Sequence, residues 1–239
     1  MANNKIKKGH KKKKQFKGIN KPLFYHNMPK AAQHAMDKIE KWSKDNSPIA
    51  YMMYEILWYA DDDHSKIVKI LSKHWKSVCE QIRSQTKVNL NEYIIVVPDD
   101  IISLDINLTA TYTASFRHLI NSLSTHFSKI GRLEEVIPYL KDIADLFIWD
   151  KDVESTLHGM IGNAMWRIGD KDGAEEYFKN KLFERDEIIM EHYSYCLLSD
   201  KRWDDAEKVL KGYENTENEV LKTRFKWLES RGLKPAVEL

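Results

Sequence analysis

The stretch Thr156-Leu157-His158-Gly159-Met160-Ile161-Gly162-Asn163-Ala164-Met165-Trp166-Arg167-Ile168-Gly169-Asp170-Lys171-Asp172-Gly173-Ala174-Glu175-Glu176-Tyr177-Phe178 decides the fold class. Gly162 and Ala174 place small residues where two antiparallel helices must approach closely, and Gly169 is free to take the positive φ that ends a helix. Phe178 supplies the bulk that fills the gap between neighbouring units. The stretch therefore predicts a helical hairpin turning at Gly169-Asp170.

The same spacing recurs on both sides. Gly131 precedes Val136 by five residues, as Gly169 precedes Ala174, and Leu140 and Phe178 each follow four residues later. In a third copy Lys201 takes the glycine's place, Ala206 aligns with Ala174 and Leu210 with Phe178. The first two turns lie 38 residues apart and the later two 32, close to a helix-turn-helix period. The flanking copies depart from the central one. Val136 replaces the alanine, Pro138 falls inside the expected second helix, and Ser194 replaces the packing glycine of the third copy.

The central run resembles the tetratricopeptide repeat family, whose signature is Leu-Gly-Asn-Ala in helix A, a Gly-Asp turn, and an alanine followed by an aromatic residue in helix B. Ile161-Gly162-Asn163-Ala164, Gly169-Asp170, Ala174 and Phe178 fall in that register, and the resemblance extends roughly over residues 117–213. It implies an all-α, antiparallel helix-pair solenoid over residues 106–239, closed by a capping helix near Glu219 to Ser230 that carries Leu221, Phe225 and Leu228. It also implies a non-enzymatic scaffold for protein–protein interaction, without cofactor or metal, holding a protein or peptide in a concave groove. By that geometry the groove presents Asn121, Thr125, Lys129, Asn163, Arg167, Glu191 and Tyr195. Asn163 matches a position that grips a peptide backbone, while Lys129 and Arg167 are placed to receive a carboxylate. The paired-lysine clamp of chaperone-binding members is absent, with Asn121 and Gly159 at those places. The competing reading is that these residues are merely a solvated face.

Ahead of the repeats, residues 22–105 read as a helical segment with an irregular connector. Ala32, Ala35, Met36, Ile39 and Trp42 share one helical face, and Ser47-Pro48 is a cap and first-turn pair opening a second helix through Tyr59. Ile67, Val68, Leu71, Trp75, Val78 and Ile82 form the face of a third helix. Tyr93-Ile94-Ile95-Val96-Val97, closed by Pro98, is β-branched like a strand. One strand without a partner does not make a sheet, so a buried connector is the preferred reading.

Charge is distributed unevenly. Residues 1–21 contain nine lysines and no acid, and removing those nine from the 38 basic residues leaves 29 against 36 acidic ones. A disordered basic tail on an acidic body follows. Its lysines, among them Lys7, Lys8, Lys11, Lys12, Lys13, Lys14 and Lys17, supply the alternative function, salt-sensitive binding of nucleic acid or another polyanion. Solubility, self-association with the acidic body and an import-like address remain open beside it.

Several chemistries lack their motifs. There is no His-Glu-x-x-His, no Cys-x-x-Cys, no phosphate-cradling glycine loop and no nucleophile elbow. Asp61-Asp62-Asp63-His64 reads as the acidic start of a helix rather than as a metal or acid-base cluster. His118 and His126, eight residues apart on one predicted helix, lie too far apart to share a metal. Cys196 reads as a buried, inert thiol and Trp166 as packing. Two cysteines without metal-like spacing, no apolar leader and no long apolar run predict a soluble, cytoplasmic protein without a membrane span.

Overall fold

A computed structural model describes residues 21–101, 107–181 and 186–232. It is all-helical, with α1 Leu23–Asn27, α2 Lys30–Asn46, α3 Pro48–Glu55, α4 His64–Arg83, α5 Leu108–Lys129 and α6 Val136–Leu146. There follow α7 Lys151–Arg167, α8 Lys171–Lys181, α9 Glu187–Ser199, α10 Trp203–Leu210 and α11 Glu219–Gly232. The predicted boundary between segments at residues 105 and 106 falls outside the described residues, as does most of the basic tail.

Local chemistry sets the helix starts. The Ser47 hydroxyl accepts from the Ala50 amide, with Pro48 in the first turn, and Asp63 accepts from the amides of Ser65 and Lys66. Asn107 and Asp186 cap α5 and α9 in the same way. The second helix does not run uniformly through Tyr59. It changes at Ile56 to a π-helical turn, Ile56–Ala60, and leaves through Asp61 and Asp62, both in the left-handed region at φ 51° and 55°.

The three turns aligned by sequence share one geometry. Gly131, Gly169 and Lys201 all have positive φ, at 70°, 96° and 61°. After each, the next amide reaches back to a carbonyl five residues earlier: Arg132 to Phe127, Asp170 to Met165 and Arg202 to Leu197, at 3.0, 3.1 and 3.0 Å. The turn residue itself donates to Ser128, Trp166 and Leu198 respectively. This pair of bonds satisfies carbonyls that a helix end leaves open. Val136, Ala174 and Ala206, and then Leu140, Phe178 and Leu210, are wholly buried in the following helices. Pro138, inside the second helix of the first copy, lies in the first turn of α6, where a missing amide hydrogen costs nothing.

Tyr93–Val97 is an extended connector. Tyr93, Ile95 and Val97 face the core while Ile94 and Val96 face solvent. Its backbone is held by side chains of α5. The Ile95 amide donates to Thr113 Oγ1 and the Val97 amide to Thr109 Oγ1, both at 2.9 Å, and Arg117 donates to the carbonyls of Leu90, Asn91 and Tyr93. Among the described residues β pairing is limited to one isolated bridge, Asn89 with Ile148.

Helix α3 packs on α2 and α4, α4 on α5 and α6, and α7 on α6, α8 and α9, while α9 also meets α10 and α11. Buried side chains fall into two clusters. One runs from Tyr25 to Ala164 and the other from Trp166 to Leu228, so the division passes through α7. Among the described residues no helix is long and apolar enough to cross a membrane.

Candidate functional site

The site is built on α7, α9 and α11. Two glycines bring α7 close to its neighbours. A Cβ on Gly162 would stand 2.5 Å from the Phe178 ring, and one on Gly159 would stand 2.1 Å from Cδ2 of His192. Phe178 in turn stacks on Tyr193 of α9, ring centroids 5.0 Å apart. With α9 seated this way, Asn163, Glu191, His192, Tyr195 and Arg224 line a notch of about 190 Å³.

The polar groups of the notch are unevenly satisfied. Arg224 donates to the Glu191 carbonyl and, at 2.8 Å, to Ser194 Oγ, and lies 5.9 Å from the Tyr195 ring centroid. The Glu191 carboxylate is engaged with the Asn218 amide instead. Among the described residues no carboxylate comes within ion-pair distance of the half-buried guanidinium, and burial pulls its pKa below the usual arginine value. Asn163 Oδ1 is shielded from solvent and has no hydrogen-bond partner. Burial likewise lowers the pKa of His192, which favours the neutral imidazole.

Beside the notch, and sharing Tyr195 and Arg224 with it, is an apolar ledge. Leu198, Trp203, Thr223 and Trp227 line this space of about 390 Å³. Trp203 and Trp227 meet edge to face at 5.2 Å, and the Arg231 guanidinium lies over both rings, at 4.2 and 5.0 Å. The arrangement combines a half-buried cation, an unpaired amide oxygen and exposed aromatic surface.

Of the seven residues projected onto a groove, Asn163, Glu191 and Tyr195 come together here. Asn121, Thr125 and Lys129 are exposed on α5 and line none of these spaces. Arg167 is exposed too, and it donates to Ser128 Oγ at 3.0 Å, tying the end of α7 to the end of α5. Lys7, Lys8, Lys11, Lys12, Lys13, Lys14 and Lys17 lie outside the described residues. Arg224, Trp227 and His192 were not anticipated. Arg224 and Trp227 stand in the sequence as a polar and an aromatic residue three apart on the capping helix, whose helical signal comes from its apolar Leu221, Phe225 and Leu228.

The remaining candidates behave structurally. Trp166 is buried, flanked by Lys171 and Arg202 at 5.9 and 5.6 Å from its ring. Burial pushes the thiols of Cys79 and Cys196 up to about 12, which keeps them protonated and unreactive at neutral pH. Asp63 is the cap of α4. His126 meets His64, not His118, with the two Nδ1 atoms 2.8 Å apart. Among the described residues no three His, Cys, Asp or Glu side chains are grouped so as to hold a metal ion. Compared with known proteins, the chain matches no family model, no curated protein and no solved structure.

Proposed function

We propose that the chain is a non-catalytic interaction module and that its α7–α9–α11 face binds a peptide segment carrying a carboxylate next to a bulky apolar side chain. The observation that carries this reading is Arg224, a half-buried cation that among the described residues has no carboxylate within ion-pair distance, the nearby Glu191 carboxylate being taken by Asn218, and that opens onto the Trp203–Trp227 ledge. A desolvated guanidinium gains most from an anion that enters with it into low-dielectric surroundings. The Trp ledge offers rigid aromatic area at small entropic cost, as interface hot spots do. Asn163 lines the same notch, and its Oδ1, shielded from solvent and without a partner in the free chain, is an acceptor that a bound backbone amide satisfies once the side chain turns outward. The wider solenoid reading is supported by the threefold recurrence of the left-handed turn and the buried residues that follow it.

A displayed-peptide selection on the full chain tests this. The expected outcome is enrichment of acidic residues adjacent to Trp, Phe or Leu, with binding cut at least tenfold by Trp227→Ala and by Asn163→Ala with Tyr195→Ala. Enriched peptides indifferent to all three substitutions would overturn the assignment.

A further inference from the structure

A second surface, in the amino-terminal half, has different chemistry. Pro22, Leu23 and Phe24 of the α1 region, Trp58 and Tyr59 of the π-helical turn, and Ile70 of α4 line a cavity of about 820 Å³. Leu23 projects from this rim with 86% of its surface exposed, and Phe24, 42% exposed, rests on Trp58 with ring centroids 6.2 Å apart. Single exposed leucines are ordinary, but here one stands beside a half-exposed aromatic over an apolar cleft.

Lysines frame the cleft. Lys66, Lys69 and Lys73 also line it, spaced three and four residues apart and so forming one stripe of α4. Lys73 is committed to the buried Glu55 carboxylate, at 2.7 and 2.9 Å. Lys66 and Lys69 are exposed and, among the described residues, have no carboxylate within ion-pair distance. Of the acids lining the cleft, Glu55 is held by Lys73 and His74, which leaves Asp61 as the opposing charge. In the sequence this face directly follows the nine lysines of residues 1–21, of which Lys21 is paired with Asp37 and Glu40.

We infer that this face docks on an anionic membrane surface, with Leu23 and Phe24 entering the headgroup–acyl boundary and Lys66 and Lys69 drawn to lipid headgroups. Exposed apolar side chains on the rim of a cleft that Lys66 and Lys69 also line combine apolar burial with electrostatic attraction, the two contributions that hold a peripheral surface on anionic lipid. A nucleic acid would use the lysines and the Phe24 ring equally well, but it leaves Leu23, the most exposed apolar side chain of the rim, without an apolar partner.

Vesicle co-sedimentation of the full chain decides the matter, using phosphatidylcholine alone and phosphatidylcholine with about one third phosphatidylserine. Sedimentation is expected only with the anionic vesicles. Leu23→Glu with Phe24→Glu, and separately Lys66→Glu with Lys69→Glu, should each weaken it about tenfold. Leu23→Glu alone, at a side chain that packs on little, should weaken it severalfold with an unchanged circular dichroism spectrum. The inference is overturned by three results: no sedimentation, equal sedimentation with neutral vesicles, or retention by Leu23→Glu equal to that of the unaltered chain. Tighter binding of a single-stranded RNA, insensitive to Leu23→Glu but sensitive to the lysine changes, would reassign the face to polyanions and also overturn it.

Discussion

The two halves of the molecule solve the same problem with different means. From Gly131 onward, one device is used three times: a left-handed residue, a pair of backward hydrogen bonds, and a buried small or aliphatic residue five positions later. Before it, devices occur singly. A five-residue π-helical turn, two left-handed aspartates and an extended connector pinned by Thr109, Thr113 and Arg117 each appear once among the described residues. Repeated devices draw their stability from neighbours close in sequence, whereas single ones depend on partners far along the chain.

That contrast can be broken most severely at Phe178, which is wholly buried over Gly162 and stacked on Tyr193. Phe178→Ala should destabilise the protein by about 4 kcal/mol in urea unfolding, because the glycine opposite supplies no atoms to refill the space. Arg117→Met comes next, at about 2 kcal/mol, since the carbonyls of Leu90, Asn91 and Tyr93 lose their donor while the aliphatic stem is kept. Amide exchange should rise first at Ile95 and Val97. A protection pattern unchanged in the connector would show that Thr109 and Thr113 suffice.

The third test sharpens the comparison by improving one copy. Lys201 holds φ 61° where its counterparts are glycines, so Lys201→Gly should stabilise by about 1 kcal/mol. No gain would mean that the third turn is not the equivalent of the other two.

The smallest effect is the one shared by both halves. Burial lowers His126, His158 and His192 below the ordinary value of 6.5, with His64 and His118 adding to the effect at His126. The unfolded chain then binds more protons than the folded one, so stability is full above that value and falls as pH drops below it. Melting at pH 5 should occur at a lower temperature than at pH 8, and His192→Gln should reduce the difference. A melting temperature that is flat over this range would exclude the linkage.

Much of this was legible in the residues, and for reasons that differ by region. Ala35, Met36 and Ile39 recur at helical spacing and are buried, and Ser47-Pro48 announced its helix because capping is local chemistry. Gly131, Gly169 and Lys201 were aligned by counting alone. The β-branched Tyr93–Val97 run was legible as a buried connector because no second strand was available to it. The π-helical turn was not, since Ile56-Leu57-Trp58-Tyr59-Ala60 is equally apolar in either hydrogen-bonding pattern. His64 with His126 was hidden by 62 residues of separation. Half of the site was hidden likewise. Asn163, Glu191 and Tyr195 sit on helices whose register was readable, but Arg224 reaches them from a helix placed only by tertiary packing.

Helix α7 carries a consequence of its own. Leu157, Ile161 and Ala164 belong to one core and Trp166 to the other, on a single continuous rod. Any displacement of α7 therefore moves side chains of both cores together, as a shifted axle moves the wheels at either end. The rod also leaves no clean place to cut the molecule in two, because any break within it strips side chains from both cores.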